Sequence, residues 1–297
     1  MRVLVTGGSG FIGQALIRAL TERGDQVVAL KHKRQLTQPG IETLDQLSHI
    51  KGKVDAVINL AGAPIADARW SEARKKCLID SRLDTTRSLV QWIAKQSEKP
   101  SVFISGSAIG FYGATSSDTP VNESSTPLLH DFSQQLCQQW EDQALEAQPL
   151  SVRVCLLRTG IVLGKGGALA KMRIPFLLGG GGPIASGKQW MSWIHLDDEV
   201  AAILHLLDHQ NLSGAFNLTA PHPATNRQFV KSYAASLHRP AILPMPGFAV
   251  KMMLGSEASA LLTEGLAVFP ERLLESGFRF KYASLQDAFA ALAAQHQ

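Results

Sequence analysis

The chain opens with Arg2-Val3-Leu4-Val5-Thr6-Gly7-Gly8-Ser9-Gly10-Phe11-Ile12-Gly13. Arg2 to Val5 has the β-branched and aliphatic composition of a buried strand. Phe11, Ile12, Ala15, Leu16, Ala19 and Leu20 then recur at i, i+3, i+4 spacing, which predicts a helix. A strand that passes through a glycine turn directly into a helix is the setting in which a dinucleotide is held. Gly7 permits the tight turn, Gly10 lets the backbone approach a pyrophosphate, and Gly13 lets the helix pack close to the strand. The helix N-terminus offers unpaired N–H groups and a partial positive charge to the phosphates.

The remaining composition narrows the function classes. With 297 residues, 45% hydrophobic and 18% charged, the chain has an ordinary globular balance and room for one large α/β domain with a small lobe. The net charge of +4 comes from scattered cations without a long basic block, so no nucleic-acid partner is expected. Cys77, Cys137 and Cys155 lie far apart, with no C-x-x-C pair to suggest a disulfide framework or zinc site. No apolar stretch reaches membrane-spanning length, and the N-terminus is needed as a strand rather than a signal peptide. A cytoplasmic protein with no membrane partner is the expectation. Metal-protease, paired-carboxylate and Ser-His-Asp spacings are missing, which argues against hydrolase and metal chemistry.

Strand and helix signals alternate through the first half. Strands are predicted at 26–30, 54–60, 101–105 and 152–157, and helices at 71–95 and 132–147. This alternation implies a doubly wound parallel sheet of the Rossmann type. Beyond Gly160, glycine-rich loops at 164–167 and 179–183 flank a short helix at 168–178. A strand at 193–195, a helix at 197–207 and a strand at 215–218 follow. From Pro221, prolines separate short helices at 226–237, 248–254 and 256–264, and a last helix covers 285–294. The expected division is a dinucleotide-binding domain over 1–165, to which 192–219 returns, and a small, mostly helical lobe from 166–191 and 220–297.

In NAD-binding folds an acidic residue near the end of the second strand holds the ribose hydroxyls. Here that position reads Lys31-His32-Lys33-Arg34. A carboxylate would repel a 2′-phosphate, whereas these cations attract it, so NADP(H) is the expected cofactor.

The form T-G-x-x-G-x-x-G resembles the short-chain dehydrogenase/reductase superfamily. Later segments resemble its extended branch, which contains nucleotide-sugar epimerases and dehydratases. Asn59-Leu60-Ala61-Gly62 is similar to the N-x-A-[AG] element that lies along the cofactor in relatives. The resemblance thus implies cofactor contacts from Thr6, Gly7, Gly10, Phe11, Ile12, Gly13, Leu60, Ala61, Gly62 and Ser105, beside Lys31, His32, Lys33 and Arg34. Ile104-Ser105-Gly106-Ser107-Ala108-Ile109-Gly110-Phe111-Tyr112-Gly113 resembles the S-S-[ST]-x-x-x-Y-G segment, and Pro120, Glu123 and Pro127 echo a P-x-x-E-x-x-P stretch. On that match Ser107 stands for the catalytic Ser/Thr and Tyr112 for the Tyr of the Y-G pair.

Relatives continue with Y-x-x-x-K, whose Tyr is the general acid/base and whose Lys lowers its pKa. Here Phe132 pairs with Leu136 and Ser133 with Cys137, so that pair is absent. Tyr112 is the leading substitute, with Glu123 or a substrate-bound water behind it, and Cys137 reads as a small buried residue. D-F-x-x-x-L-C-x-x-W-E, ending at Glu141, together with Arg69-Trp70, the 157–164 strand exit and the 187–198 stretch, resembles an atypical subgroup of epimerase-family proteins. The C-terminal domain of that subgroup has no assigned role. The resemblance implies substrate contacts from Arg158 and Trp193, although Trp193 could equally fill the seam between lobes. It also implies a structural His195 ahead of a helix capped by Asp197 or Asp198. The expected activity is hydride transfer by an NADP(H)-dependent oxidoreductase or epimerase on a small-molecule substrate; a nucleotide sugar follows from fold analogy alone. The alternative is a non-catalytic NADP(H)-binding redox sensor. A homodimer is the habit of the superfamily.

Overall fold

A computed structural model describes residues 1–31, 41–117 and 119–294. Its strands are β1 (Arg2–Thr6), β2 (Gln26–Leu30), β3 (Ile41–Leu44), β4 (Ala56–Asn59), β5 (Val102–Ala108), β6 (Arg153–Thr159), β7 (Ile161–Leu163), β8 (Trp190–Met191), β9 (Trp193–His195), β10 (Gly214–Leu218) and β11 (Ala224–Thr225). Its helices are α1 (Phe11–Glu22), α2 (Glu72–Lys95), α3 (Phe132–Leu145), α4 (Gly167–Leu177), α5 (Leu196–Asp208), α6 (Asn226–Ser236), α7 (Gly247–Leu254), α8 (Ser256–Thr263), α9 (Glu271–Glu275) and α10 (Leu285–Ala294).

Seven strands form one parallel sheet in the order β10-β6-β5-β4-β1-β2-β3. The order reverses beside β1, so the cleft for a ligand opens at the carboxyl ends of β1 and β4. Helices cover both faces, which is why the central strands read as continuous apolar runs. On one face Leu16, Ile17 and Leu20 of α1 and Ile203 and Leu206 of α5 close over Val3, Val5 and Ile58. On the other, Leu89, Trp92 and Ile93 of α2 and Ala144 of α3 close over Leu4, Val57 and Phe103. The short β3 was not anticipated, because Ile-Glu-Thr-Leu offers only four half-exposed residues to a pattern search.

The lobe has its own core, in which Leu169 and Phe176 of α4, Phe229 and Tyr233 of α6 and Phe289 of α10 surround Trp193. The expected division holds the whole of 220–297 in the lobe. Leu273 and Phe278, however, are packed in the core of the main sheet, so the chain crosses back before α10. Among the described residues no helix is long and apolar enough to cross a membrane.

His195, not Asp197 or Asp198, caps α5: its Nδ1 accepts the Asp197 N–H at 3.1 Å. Asp198 accepts the backbone N–H groups of Lys281 and Tyr282 at 2.8 and 2.9 Å and so pins the C-terminal segment to α5. At the next position, the fully buried Glu199 accepts a bond from the Thr159 hydroxyl at 2.9 Å, and its second oxygen has no partner among the described residues. Burial pushes its pKa from 4.5 up to about 8. A carboxyl whose folded-state pKa is raised binds its proton more tightly in the folded chain. Its contribution is therefore fully present below pH 4.5 and is lost as the pH climbs to about 8. Urea denaturation across that window should show wild-type stability falling with pH, and Glu199→Gln should flatten the slope. An identical slope in the variant would refute the assignment.

Candidate functional site

The turn between β1 and α1 is shaped for a ligand to lie against its backbone. Gly7 has φ +71°, and a Cβ there would stand 2.4 Å from the Leu60 carbonyl oxygen. A Cβ on Gly13 would stand 2.2 Å from the Gly7 carbonyl oxygen. The start of α1 is bare: Gly10 at the N-cap offers no side chain, and no acid lies in the first turn. In contrast, Ser71 caps α2, Asp131 caps α3 and Thr225 caps α6 with side-chain hydrogen bonds. The uncapped N–H groups of α1 are free to meet an anion. The side chains of Phe11 and Ile12 pack into the scaffold, while their backbone N–H groups belong to that bare first turn. A Cβ on Gly164 or Gly166 would come within 2.5 or 2.6 Å of the Phe11 ring, so the second glycine loop sits on that ring. Ile12 packs against the sheet core.

Thr6, Asn59 and Ser105 are register partners on β1, β4 and β5. The Thr6 hydroxyl donates to Asn59 Oδ1 at 2.6 Å, and Asn59 Nδ2 donates to Thr86 at 2.9 Å and to Ser105 at 3.4 Å. This buried polar row closes the sheet edge below the turn. Ala61 and Gly62 leave β4 beside Arg82 of α2, a residue that sequence reasoning missed. A Cβ on Gly62 would lie 3.1 Å from the Arg82 guanidinium carbon. The guanidinium donates to the carbonyls of Leu78 and Ala63 at 3.0 and 3.1 Å and lies 5.1 Å from the Trp140 ring. Among the described residues no carboxylate pairs with it, and burial lowers its pKa. Such a cation is a standing invitation to an anion. Of the four cations expected to take a 2′-phosphate, Lys31 is exposed after β2; His32, Lys33 and Arg34 lie outside the described residues.

A second polar row crosses the edge at Ser107, Arg158 and Asn217, register partners on β5, β6 and β10. The Ser107 hydroxyl donates to Glu141 Oε1 at 2.6 Å. Arg158 grips both oxygens of the same carboxylate, Nε to Oε1 at 2.9 Å and Nη2 to Oε2 at 2.8 Å. Its remaining Nη1 donates to the Tyr112 hydroxyl at 3.1 Å, which donates to Asn217 Oδ1 at 2.8 Å. The guanidinium also stacks 3.4 Å above the Phe111 ring. Glu123 accepts the Asn217 backbone N–H at 2.9 Å and so completes the edge strand.

These contacts revise three expected roles. Tyr112 is 0% exposed, its partners are filled, and burial raises its pKa, so it does not reach a substrate as it stands. Arg158 is 5% exposed, with each of its three guanidinium nitrogens engaged by Glu141 or Tyr112. Trp193 is also fully buried in the lobe core, with its indole N–H on the His222 carbonyl at 3.2 Å. Glu141 was in plain view as the end of a motif, but its role was not. It lies four residues beyond Cys137 and eight beyond Ser133, so the three share one buried stripe of α3 beneath Ser107. The Cys137 thiol is pushed up to about 12 by burial, so it cannot replace a lysine or move a proton near neutral pH.

The lobe is tied to this edge on two sides of the loop after β4, by Lys171 with Asp67 and by Lys75 with Glu257 at 2.6 Å. Between the loop after β5 and the lobe lies a cleft of about 560 Å³. Its wall carries Ser116, Ser117, Lys188, Trp190, Lys251 and Glu264. Ser107, Tyr112 and Arg158 are not part of that wall.

Comparison with known proteins agrees with this architecture. The sequence pattern of the NAD dependent epimerase/dehydratase family matches residues 3–219, and a domain of unknown function (DUF1731) matches residues 245–292. The chain belongs to that epimerase/dehydratase family. It is similar to Epimerase family protein YfhF of Bacillus subtilis, 36% identical over 100% of this chain and 99% of the relative. The solved structure of human epimerase family protein SDR39U1 (isoform2) with NADPH superposes with a TM-score of 0.92 at 36% identity, covering 99% of each chain. A nucleoside-diphosphate sugar epimerase from Corynebacterium glutamicum gives a TM-score of 0.80 at 27% identity over 99% of this chain and 58% of its own.

The Arg158–Glu141 clasp yields a test of the scaffold. Arg158→Leu strands a buried carboxylate and should cost about 3–5 kcal/mol in urea denaturation, whereas Arg158→Leu with Glu141→Leu should recover most of it. A double variant no more stable than the single one would show that the pair is not the source of the loss.

Proposed function

We propose that this member of the epimerase/dehydratase family binds NADP(H) along the carboxyl edge of its sheet and exchanges a hydride with a carbinol or carbonyl carbon of its substrate. The observation that carries the reading is the bare start of α1 above a glycine cradle that no side chain could enter. Arg82 supports it as a half-buried cation next to Gly62 with no carboxylate partner among the described residues, and so does the NADPH held by the human relative. Gly7, Gly10 and Gly13 would receive the pyrophosphate, with Ala61, Gly62 and Arg82 beside the next part of the cofactor. Lys31 to Arg34 would take the 2′-phosphate. The bound nicotinamide supplies or accepts the hydride.

Proton handling falls to this chain's own residues. Ser107 is the hydroxyl offered to the substrate oxygen. When an alcohol is oxidised, its proton passes to Ser107, and the Ser107 proton passes to Glu141, 2.6 Å away; reduction runs the transfers backwards. Arg158 and Tyr112 are positioning residues that hold Glu141 in place. Lys188, in the cleft beside this edge, would hold the anionic part of a hydroxyl-rich substrate such as a nucleotide sugar, whose reacting carbon would reach past the cleft wall towards Ser107. The three cysteines are free thiols, which suits the reducing cytoplasm. The α3 stripe of Ser133, Cys137 and Glu141 favours a second reading, a redox sensor that holds NADP(H) without turnover.

Parallel titrations of the protein with NADPH and NADH should favour NADPH. Arg82→Gln should weaken NADPH by about ten- to a hundredfold, the loss of a charge-assisted contact. Failure to bind either nucleotide would end both readings. Turnover in a panel of carbonyl compounds and nucleotide sugars, abolished by Ser107→Ala with NADPH affinity retained, supports the enzyme. Tight binding with no turnover across the panel supports the sensor.

A further inference from the structure

The lobe presents an apolar surface to water. Leu178 is 82% exposed, Ile242 73%, Phe248 and Met252 71% each, and Met253 64%. Backbone contacts hold them together. The Arg239 side chain donates to the Leu177 carbonyl at 2.9 Å, Leu243 N–H to Gly181 at 3.3 Å and Met245 N–H to Pro183 at 2.9 Å. The end of α4 and the segment leading into α7 are thus neighbours. Helix α7, Gly-Phe-Ala-Val-Lys-Met-Met-Leu, is apolar on both sides. Val250 is buried, while Phe248, Met252 and Met253 face outward. A helix whose exposed residues are apolar except for Lys251 and whose inner face is also apolar calls for cover on its outer face.

Charge identifies the cover. Residues 165–191 and 220–256 contain eight Lys and Arg and no Asp or Glu. The rest of the chain then holds 21 cations against 25 acids, a surplus of four negative charges. Arg173, Arg239 and Lys251 rim the apolar residues, and among the described residues none of the three pairs with a carboxylate. A second copy would bring two basic rims face to face, which is repulsive. A nucleic acid would gain nothing from side chains this far out of the surface. Protruding Leu, Ile, Phe and Met inside a basic rim fit the headgroup boundary of an anionic bilayer, where the chains insert and the cations meet phosphate. We propose that the lobe docks on anionic membrane surfaces through Leu178, Ile242, Phe248, Met252 and Met253, with the acidic remainder of the molecule turned away.

The test is co-sedimentation of the full chain with phosphatidylcholine vesicles, with and without phosphatidylglycerol. Binding should require phosphatidylglycerol and weaken as salt rises. Phe248→Ser with Met252→Ser and Met253→Ser should cut it at least about tenfold, as should Arg173→Gln with Lys251→Gln. Thermal midpoint and NADPH titration would check that each variant folds. Three results would overturn the proposal: no vesicle binding, equal binding to neutral vesicles, or binding indifferent to the apolar triple variant. Concentration-dependent dimerisation lost in the triple variant would assign the face to a second copy instead. Competition by duplex DNA that the apolar variant leaves unchanged would assign it to a polyanion.

Discussion

The clasp of Arg158 on Glu141 sets most of the geometry at the sheet edge. Two ions taken out of water at this depth are costly, and a two-pronged contact with a partner for each nitrogen makes them tolerable. Arg158 supplies this with Nε and Nη2 on the carboxylate, Nη1 on Tyr112 and its flat face on Phe111. The demand runs outward. Glu141 must sit on the inner stripe of α3, which fixes that helix over β5 and β6. Tyr112 must lie flat beneath the loop after β5, and its hydroxyl must find Asn217 on the edge strand. The Ser107 hydroxyl is left pointing at Oε1, the oxygen that also accepts Arg158 Nε. One ion pair thereby aligns three strands, a helix and the hydroxyl nearest the expected chemistry.

The same clasp bears on the missing Tyr and Lys. A Y-x-x-x-K pair needs two long polar side chains on α3 facing the cofactor. Here those positions hold Ser133 and Cys137, with Gly110 close against them: a Cβ on Gly110 would be 3.4 Å from both the Cys137 sulfur and the Ser133 Cβ. That contact is of ordinary van der Waals length, but Ser133 and Cys137 are both buried, so the longer side chains of a tyrosine and a lysine would call for a different packing of α3. The third residue of the stripe, Glu141, is the polar group that remains. Charge at this edge is carried by Arg82 and by the clasp rather than by a lysine on α3.

Much of the fold was legible because its cues are local. The glycine spacing, the apolar period of α1 and the strand-helix alternation lie within a few residues of one another, and the structure realises them. The site was less legible, because its contacts join residues far apart. Arg158 and Trp193 had plausible positions at a sheet exit, yet their exposure depends on α3 and the lobe, which no local pattern reports. Arg82 is one of several polar residues along a helix with a weak apolar stripe, and only its position against Gly62 singles it out. The charges looked scattered when counted along the whole chain. The two acid-free stretches became one face only when α4 and the segment before α7 came together.

Two features at one edge leave room for an anion. Helix α1, like α4, α7, α8 and α9, starts without a side-chain cap, whereas Ser71, Asp131 and Thr225 cap α2, α3 and α6. What sets α1 apart is that its bare first turn lies over the glycine cradle. Arg82 stands at the same edge with no carboxylate partner among the described residues. Together they describe a site whose electrostatics are completed by an anion from outside. An anion bound there stabilises the folded chain in proportion to RT ln(1 + [L]/Kd). Filling the site with NADP(H) therefore stabilises the fold that presents it.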